Sequence, residues 1–314
     1  RPAFPRVSLS GSGVVRDGEP VTVSIPREWF QGTEEGRLML SDLPSLDLAG
    51  AASFLLQYPY GCLEQTVSSA WPLLATADLA AELDPALVNS EERDSLLAYK
   101  IRQIGAMQLY NGGFAAWPGL SETYLWGSLY ASHFLVEARR SGAPVPADML
   151  EAALANVRSM LPLAPRDDTS LAFSENLTNK AYACYILALD GEAPLGWMAH
   201  LGEQTDSLFE SGRIFLAGAR ALVSKTSKPL QGLGSSPSPE RGSPTFESAS
   251  RSTALKLLMW SEVDPLSATA ADLATKLVEE ARKGTWRTTQ DNAVSILALG
   301  KWMEKTRSAR KPFN

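Results

Sequence analysis

The 314-residue sequence is poor in the residue types that most often build reactive or metal centres. It holds two cysteines, Cys62 and Cys184, and two histidines, His133 and His200. Two thiols cannot form the disulfide framework of a small secreted domain, although one bridge remains open to them. Two imidazoles exclude a three-histidine metal site. The phosphate-binding glycine loop, the dinucleotide fingerprint and zinc-ligand spacings are also missing, so no cofactor or metal is expected. No apolar run is long enough to cross a bilayer without charges or breakers. An excess of positive charge is lacking too. Lys and Arg number 29 against 35 Asp and Glu, a formal net charge of -6, which gives no support to a nucleic-acid surface. The chain opens Arg1-Pro2-Ala3-Phe4-Pro5 with neither an initiator methionine nor a signal peptide, as expected of a mature fragment or an excised piece.

What is present is core material. Hydrophobic residues make up 45% of the chain, which excludes disordered and collagen-like classes. Residues 1–45 carry short alternating runs, Val7-Ser8-Leu9, Val21-Thr22-Val23-Ser24-Ile25 and Arg37-Leu38-Met39-Leu40, divided by Gly and Pro. They read as three or four antiparallel strands, too few to bury a face alone, hence a partial β-domain. After Pro44 the apolar spacing becomes helical. A helix is expected to follow Cys62, turn at Pro72 and run through Leu79 and Leu83. Further helices are expected over 126–140, 147–160, 176–189, 195–210, 213–225, 251–261, 266–281 and 290–305, separated by short breakers such as Gly142-Ala143-Pro144 and Asp264-Pro265. Many similar helices with short turns suggest a ring of about six helical hairpins, an α/α toroid, or else an open helical array. The proline- and serine-rich stretch 227–243 reads as a surface loop.

The chemistry centres on Pro59-Tyr60-Gly61-Cys62-Leu63-Glu64-Gln65. Cys62 and Gln65 are three residues apart where a helix opens, so they share one face beside unpaired backbone amides. Those amides are expected to favour a thiolate at Cys62 and to polarise the Gln65 carboxamide. Attack of the sulfur on that carbonyl, with loss of ammonia, would close an internal thioester, an acyl donor awaiting a nucleophile. Water competes, so the bond survives only in a dry site. Tyr58, Tyr60, Trp71, Trp117, Tyr124 and Trp126 are the aromatic material for a cover, and each fits plain core equally. The spacing alone also fits a buried structural cysteine beside a solvated glutamine.

The run Tyr58 to Thr66 resembles the thioester signature of the alpha-2-macroglobulin and complement superfamily in its bacterial form. Gly112-Gly113-Phe114-Ala115-Ala116-Trp117-Pro118-Gly119 and Trp286-Arg287-Thr288-Thr289-Gln290-Asp291-Asn292-Ala293 are similar to two further stretches of the same domain. The resemblance implies that 46–314 is a thioester-containing α/α toroid and that 1–45 opens the flanking CUB-type β-domain. It implies Cys62 and Gln65 as the bonded pair. Glu64, between them, is expected to orient the site or hold the helix start, with Gly61, Tyr60, Tyr58, Trp117, Tyr124 and Trp126 in support. It also implies a broad-spectrum protease inhibitor of host-defence type. After bait cleavage in the parent chain, its acyl group would pass to a lysine amine of the trapped protease in one turnover, not as an enzyme. The expected partners are target proteases and other macroglobulin domains of the parent, in the periplasm on an inner-membrane lipid anchor. Some complement members use a histidine that attacks the thioester first. His133 and His200 match no such position and read as structural, so direct amine attack is expected. Two rivals stand beside this reading: an α/α-toroid enzyme of glycosidase or prenyltransferase/cyclase type, and a thioester-less macroglobulin-like binding scaffold. The acidic pair Asp167-Asp168 reads as a solvated helix cap, and Cys184 as buried and inert.

Overall fold

A computed structural model describes residues 61–74, 90–234, 245–283 and 286–307, with Thr22, Gly32 and Leu55 singly. Packing divides the chain into two compact units, Arg1–Ser45 and Leu46–Asn314. Apart from Thr22, the strands expected before residue 45 lie outside the described residues, as do Tyr58, Tyr60 and the stretch through Leu79 and Leu83.

The described residues are mainly α-helical. In chain order the helices are α1 (Leu63–Ala70), α2 (Ser90–Gly105), α3 (Leu125–Arg140), α4 (Ala147–Met160) and α5 (Ser170–Leu189). They continue with α6 (Leu195–Gly202), α7 (Glu210–Ser224), α8 (Ala249–Val263), α9 (Ala268–Arg282) and α10 (Thr289–Thr306). Among the described residues, the only pairing of extended backbone is two isolated antiparallel bridges, Gln108 with Phe114 and Ala115 with Thr123.

Local chemistry sets the ends. Pro72 has no N–H to donate, and α1 gives way to a 3-10 turn at Trp71–Leu74. Gly142, at φ +86°, closes α3 with two reversed bonds, Ala143 N to Ala138 O and Gly142 N to Arg139 O. Thr169 caps α5 by accepting the Ala172 amide at 3.2 Å, so that helix begins at Ser170 and not at the expected 176. Leu171 and Phe173 in the first turn stand exposed, and Ser174, Glu175 and Asn176 after them break the apolar period without breaking the helix. The expected helix 195–210 is two elements. α6 ends at Gly202, whose carbonyl accepts the Thr205 hydroxyl at 2.9 Å, and Glu210 opens α7.

Six helices form a cycle of contacts: α1 packs on α3, α3 on α5, α5 on α7, α7 on α8, α8 on α10, and α10 returns to α1. The others fill the outside, with α4 on α3 and α5, α6 on α5 and α7, and α9 on α8 and α10. Between α7 and α8 the turn Lys228–Leu230 packs on both helices. The two sets differ in pattern as their positions require. α3, α5, α8 and α10 bury residues nearly all round, whereas α9 buries one stripe, Ala270, Ala274, Leu277 and Val278.

Where the cycle faces itself, rings and polar groups interlock. Trp71 meets Phe134 and His133 edge-on at 5.1 and 5.2 Å, and Tyr182 stacks on Phe215 at 4.0 Å. His133 is buried, as a structural histidine would be, with Nδ1 2.9 Å from the Tyr182 hydroxyl and Nε2 4.0 Å from Glu137. Beyond it, Glu137 and Glu262 are clamped by Arg140 and Lys301, joining α3, α8 and α10. Burial would push the Glu262 carboxyl up, but Lys301 and Arg140 outweigh it and hold it at about 2. Burial first, then the charges of Lys301 and Arg140, push His133 down to about 3. The unfolded chain protonates this ring near 6.5, so stability is fully present above that pH and falls as the pH drops towards the folded value. The expected slope is about 1.4 kcal/mol per pH unit for this one group. Urea denaturation between about pH 7 and pH 4 checks it, and His133→Gln should flatten the profile.

Candidate functional site

Cys62 is the N-cap of α1, with extended backbone at φ -67° and ψ 163°. The first turn then forms a reciprocal capping box. The Gln65 amide donates to the Cys62 sulfur, and the Cys62 amide donates to Gln65 Oε1 at 3.4 Å. A serine and a glutamate usually fill these roles. Here a thiol and a carboxamide fill them, each accepting the other residue's backbone amide.

A loop from further along the chain meets the helix start. Ala116 O accepts the Leu63 amide at 2.9 Å, taking one of the free donors of α1. This loop is built from Asn111-Gly112-Gly113-Phe114. Asn111 Oδ1 accepts the Gly113 amide at 3.0 Å, Ser128 Oγ of α3 accepts the Phe114 amide at 2.8 Å, and Asn156 of α4 donates to Asn111 O at 3.2 Å. The glycine–aromatic stretch thus packs against the start of α1 and holds its first turn in register.

Glu64 is buried, 6% exposed. Its Oε1 accepts three bonds: Ser68 Oγ at 2.7 Å, Thr289 Oγ1 at 2.7 Å and Gln290 Nε2 at 2.8 Å. Thr289 and Gln290 open α10, whose start is fixed by a capping box between Thr288 and Asp291. The stretch Trp286 to Ala293 therefore meets the turn bearing Cys62 through Glu64, and the carboxylate ties α10 to α1. Ser68 also lies 3.0 Å from the Tyr130 hydroxyl, which carries the network into α3.

The aromatic residues divide. Trp126 is buried, stacked on Tyr130 at 5.0 Å, 6.3 Å from Tyr124 and 4.5 Å from Phe246. Tyr124 is half-buried; burial first, then the charges of Glu64 and Cys62, push its phenol up. Its ring and the side chain of Leu63, the residue after Cys62, crowd the same face of Gly127. Trp71 lies in the core among Tyr130, His133 and Phe134. Trp117 is 46% exposed and Gly61 is exposed. Thr289, Gln290 and Phe246 carry no signal that spacing could have revealed, because their partners are far away in sequence; Ser68 and Tyr130 stand one helical turn after Glu64 and Trp126, a spacing that sequence reasoning passed over.

One electrostatic expectation is corrected. The amides at the start of α1 were expected to favour a thiolate. The Cys62 thiol is instead pushed up, by burial first, with the Glu64 charge adding, against the counteracting bonds from the Gln65 and Glu64 amides. A half-buried sulfur beside a carboxylate keeps its proton. Cys184 in α5 is buried and pushed up to about 12 by burial, as inert as expected. His200 is exposed, with its Nε2 3.0 Å from Gln204. Among the described residues no three His, Cys, Asp or Glu converge to hold a metal ion, and no helix is long and apolar enough to cross a membrane.

The fold and the site together define a mainly helical domain in which a cysteine and a glutamine side chain each accept the other's backbone amide at one helix N-terminus. No family model matches the chain. It is 29% identical to alpha-2-macroglobulin of Escherichia coli strain K12 over 98% of its own length and 20% of that protein. It is likewise 29% identical to the alpha-2-macroglobulin homolog of Yersinia pestis over 71% of this chain and 11% of the other. Solved structures agree. Salmonella alpha-2-macroglobulin reacted with methylamine superposes with a TM-score of 0.71 and 27% identity, covering 82% of this chain and 18% of that one. Native E. coli alpha-2-macroglobulin, from domain MG7 to the C-terminus, gives 0.71 and 26%, covering 82% and 42%. The trypsin-activated E. coli protein gives 0.67 and 26%, covering 83% and 18%. The chain is thus similar to bacterial alpha-2-macroglobulins and spans about a fifth of the length of its E. coli relative.

Proposed function

We propose that residues 46–314 are the thioester domain of a protease-trapping protein, and that Cys62 and Gln65 carry its covalent chemistry. The observation behind this reading is the reciprocal capping box. It brings a sulfur and a carboxamide together through two bonds to each other's backbone. In the first step the Cys62 thiol loses its proton, its sulfur attacks the Gln65 carbonyl carbon, and the carboxamide nitrogen leaves as ammonia. In the second, an amine attacks the same carbon. The C–S bond breaks, Cys62 leaves as a thiol with a proton from the amine, and Gln65 ends as a substituted amide. Each molecule acts once, which is trapping and not turnover.

Three features support the resting state of such a bond. Tyr124 and Trp126 supply apolar cover against water. Glu64 is held by three donors and fixes the geometry of α1 against α10. The raised thiol makes the sulfur a poorer leaving group, which slows loss to water. The return of α10 onto α1 supports a closed α/α toroid, and residues 1–45 would be the first part of a CUB-type domain. The E. coli relative activated by trypsin and the Salmonella relative reacted with methylamine support protease and amine as the two triggers of the parent protein. On this reading the parent is a periplasmic, lipid-anchored inhibitor with lysine amines of proteases as its acceptors. The test is peptide mapping after exposure to methylamine. Gln65 should carry the N-methylamide and Cys62 should become alkylatable, and Cys62→Ala should show no modified Gln65. Methylamine on Gln65 in the alanine variant, or none in the parent sequence, would overturn the assignment.

A further inference from the structure

Phe246 holds its backbone in the left-handed region, at φ +56°, which a bulky residue avoids unless its surroundings enforce it. Here they do. Thr245 before it is 1% exposed, and its hydroxyl donates to Glu247 at 3.1 Å. Glu247 after it accepts both the amide and the hydroxyl of Ser211 in the first turn of α7, and Ser248 next caps α8. Three consecutive residues, 245–247, are thus pinned between two helix starts, and the enforced φ delivers the Phe246 ring onto Trp126 of α3, 4.5 Å away. α3 and α8 are three steps apart in the cycle of helix contacts whichever way it is followed. The strap therefore reaches across the cycle and does not pad a neighbour.

Trp126 is the ring on which the two tyrosines of the site converge. Tyr130 stacks on it and passes through Ser68 to Glu64, and Tyr124 leans on it with its ring sharing one face of Gly127 with the side chain of Leu63, the residue after Cys62. The Arg251 guanidinium, on a side chain 2% exposed, lies 5.9 Å from the Trp126 ring centre. Trp126 is thus bracketed by Tyr130, Tyr124, Arg251 and Phe246, and only Phe246 is held there by strained backbone.

We propose that Phe246 is a positioning residue for the aromatic cover of the Cys62–Gln65 pair: wedged by its strap against Trp126, it keeps Tyr124 over the pair and so sets how fast water and small amines reach it. This rests on the thioester reading, and the experiment separates the two. Phe246→Gly removes the ring and also removes the cost of a positive φ, so the urea midpoint of the chain should hold. Loss of the thioester to water, and its reaction with methylamine, should nevertheless accelerate by about tenfold or more. Phe246→Leu, which keeps an apolar wedge, should stay within about threefold of the parent rate. A purely structural residue would move the midpoint and the rate together. Reactivity unchanged in Phe246→Gly, with the thioester present in the parent sequence, would overturn the proposal alone. If the parent sequence carries no thioester, the thioester reading fails, and the wedge is still read from the rate at which iodoacetamide alkylates Cys62, located by peptide mapping. The same acceleration in the glycine variant supports it there, and equal rates reject it.

Discussion

Glu64→Ala is expected to lower stability by about 3–5 kcal/mol, the largest loss of any single exchange at the site. One oxygen of this carboxylate accepts bonds from Ser68, Thr289 and Gln290 at 2.7, 2.7 and 2.8 Å. Bonds to an ionised acceptor contribute roughly 1.5–3 kcal/mol each and are not additive, and deleting the acceptor strands buried donors. Gln290 retains a contact to Ser68 at 3.3 Å, which limits the damage. The exchange also cuts the link between the start of α10 and the turn bearing Cys62, so thioester formation should fail even in the fraction that folds. Glu64→Gln should fall between, because its new N–H₂ can face groups that themselves donate. Urea denaturation measures the first effect, and the mass of the folded protein the second. An alanine variant as stable as the parent would show that the three bonds do not hold the cycle closed.

Gly112→Ala should cost about 3 kcal/mol or more. Gly112 has φ +79°, and a Cβ placed on it would lie 2.0 Å from Ala152 O, a backbone atom of α4 that cannot step aside. The loop must then lift off α4, which takes Ala116 O away from the Leu63 amide at the start of α1. Gly119 is the internal control. It has φ +84°, and a Cβ there would meet nothing within 4 Å, so Gly119→Ala should cost only the backbone strain, about 1 kcal/mol. The difference between the two urea midpoints isolates the close approach of loop and helix. Equal losses would contradict it.

The reach of the sequence follows the range of each interaction. Cys62 and Gln65 could be paired from spacing because a capping box is local: four residues of helix start settle which side chains meet. The helices were readable for the same reason, from apolar period and breakers. α5 began early because Thr169 caps it through one hydroxyl, and the polar run Ser174-Glu175-Asn176 hid that start. Glu64 had a role expected in kind, but its partners Thr289 and Gln290 come from the other end of the domain, where only closure of the helix cycle brings them. Phe246 left no trace in the pattern, since its meaning lies in a backbone angle and a ring across the fold. The sign of the Cys62 shift was missed because the amides were visible in the sequence and the burial and the Glu64 charge that outweigh them were not. Trp117 shows the opposite limit, an aromatic beside the right motif that stands largely in solvent.

The most direct measurement is the intact mass of the freshly isolated, unreacted protein under conditions that spare acyl bonds. If Cys62 and Gln65 have condensed, the chain weighs about 17 Da less than its sequence requires, the mass of one ammonia. Under native conditions it then shows no titratable thiol, since Cys184 is buried. The full sequence mass, with a Cys62 thiol that titrates at once, would contradict the account.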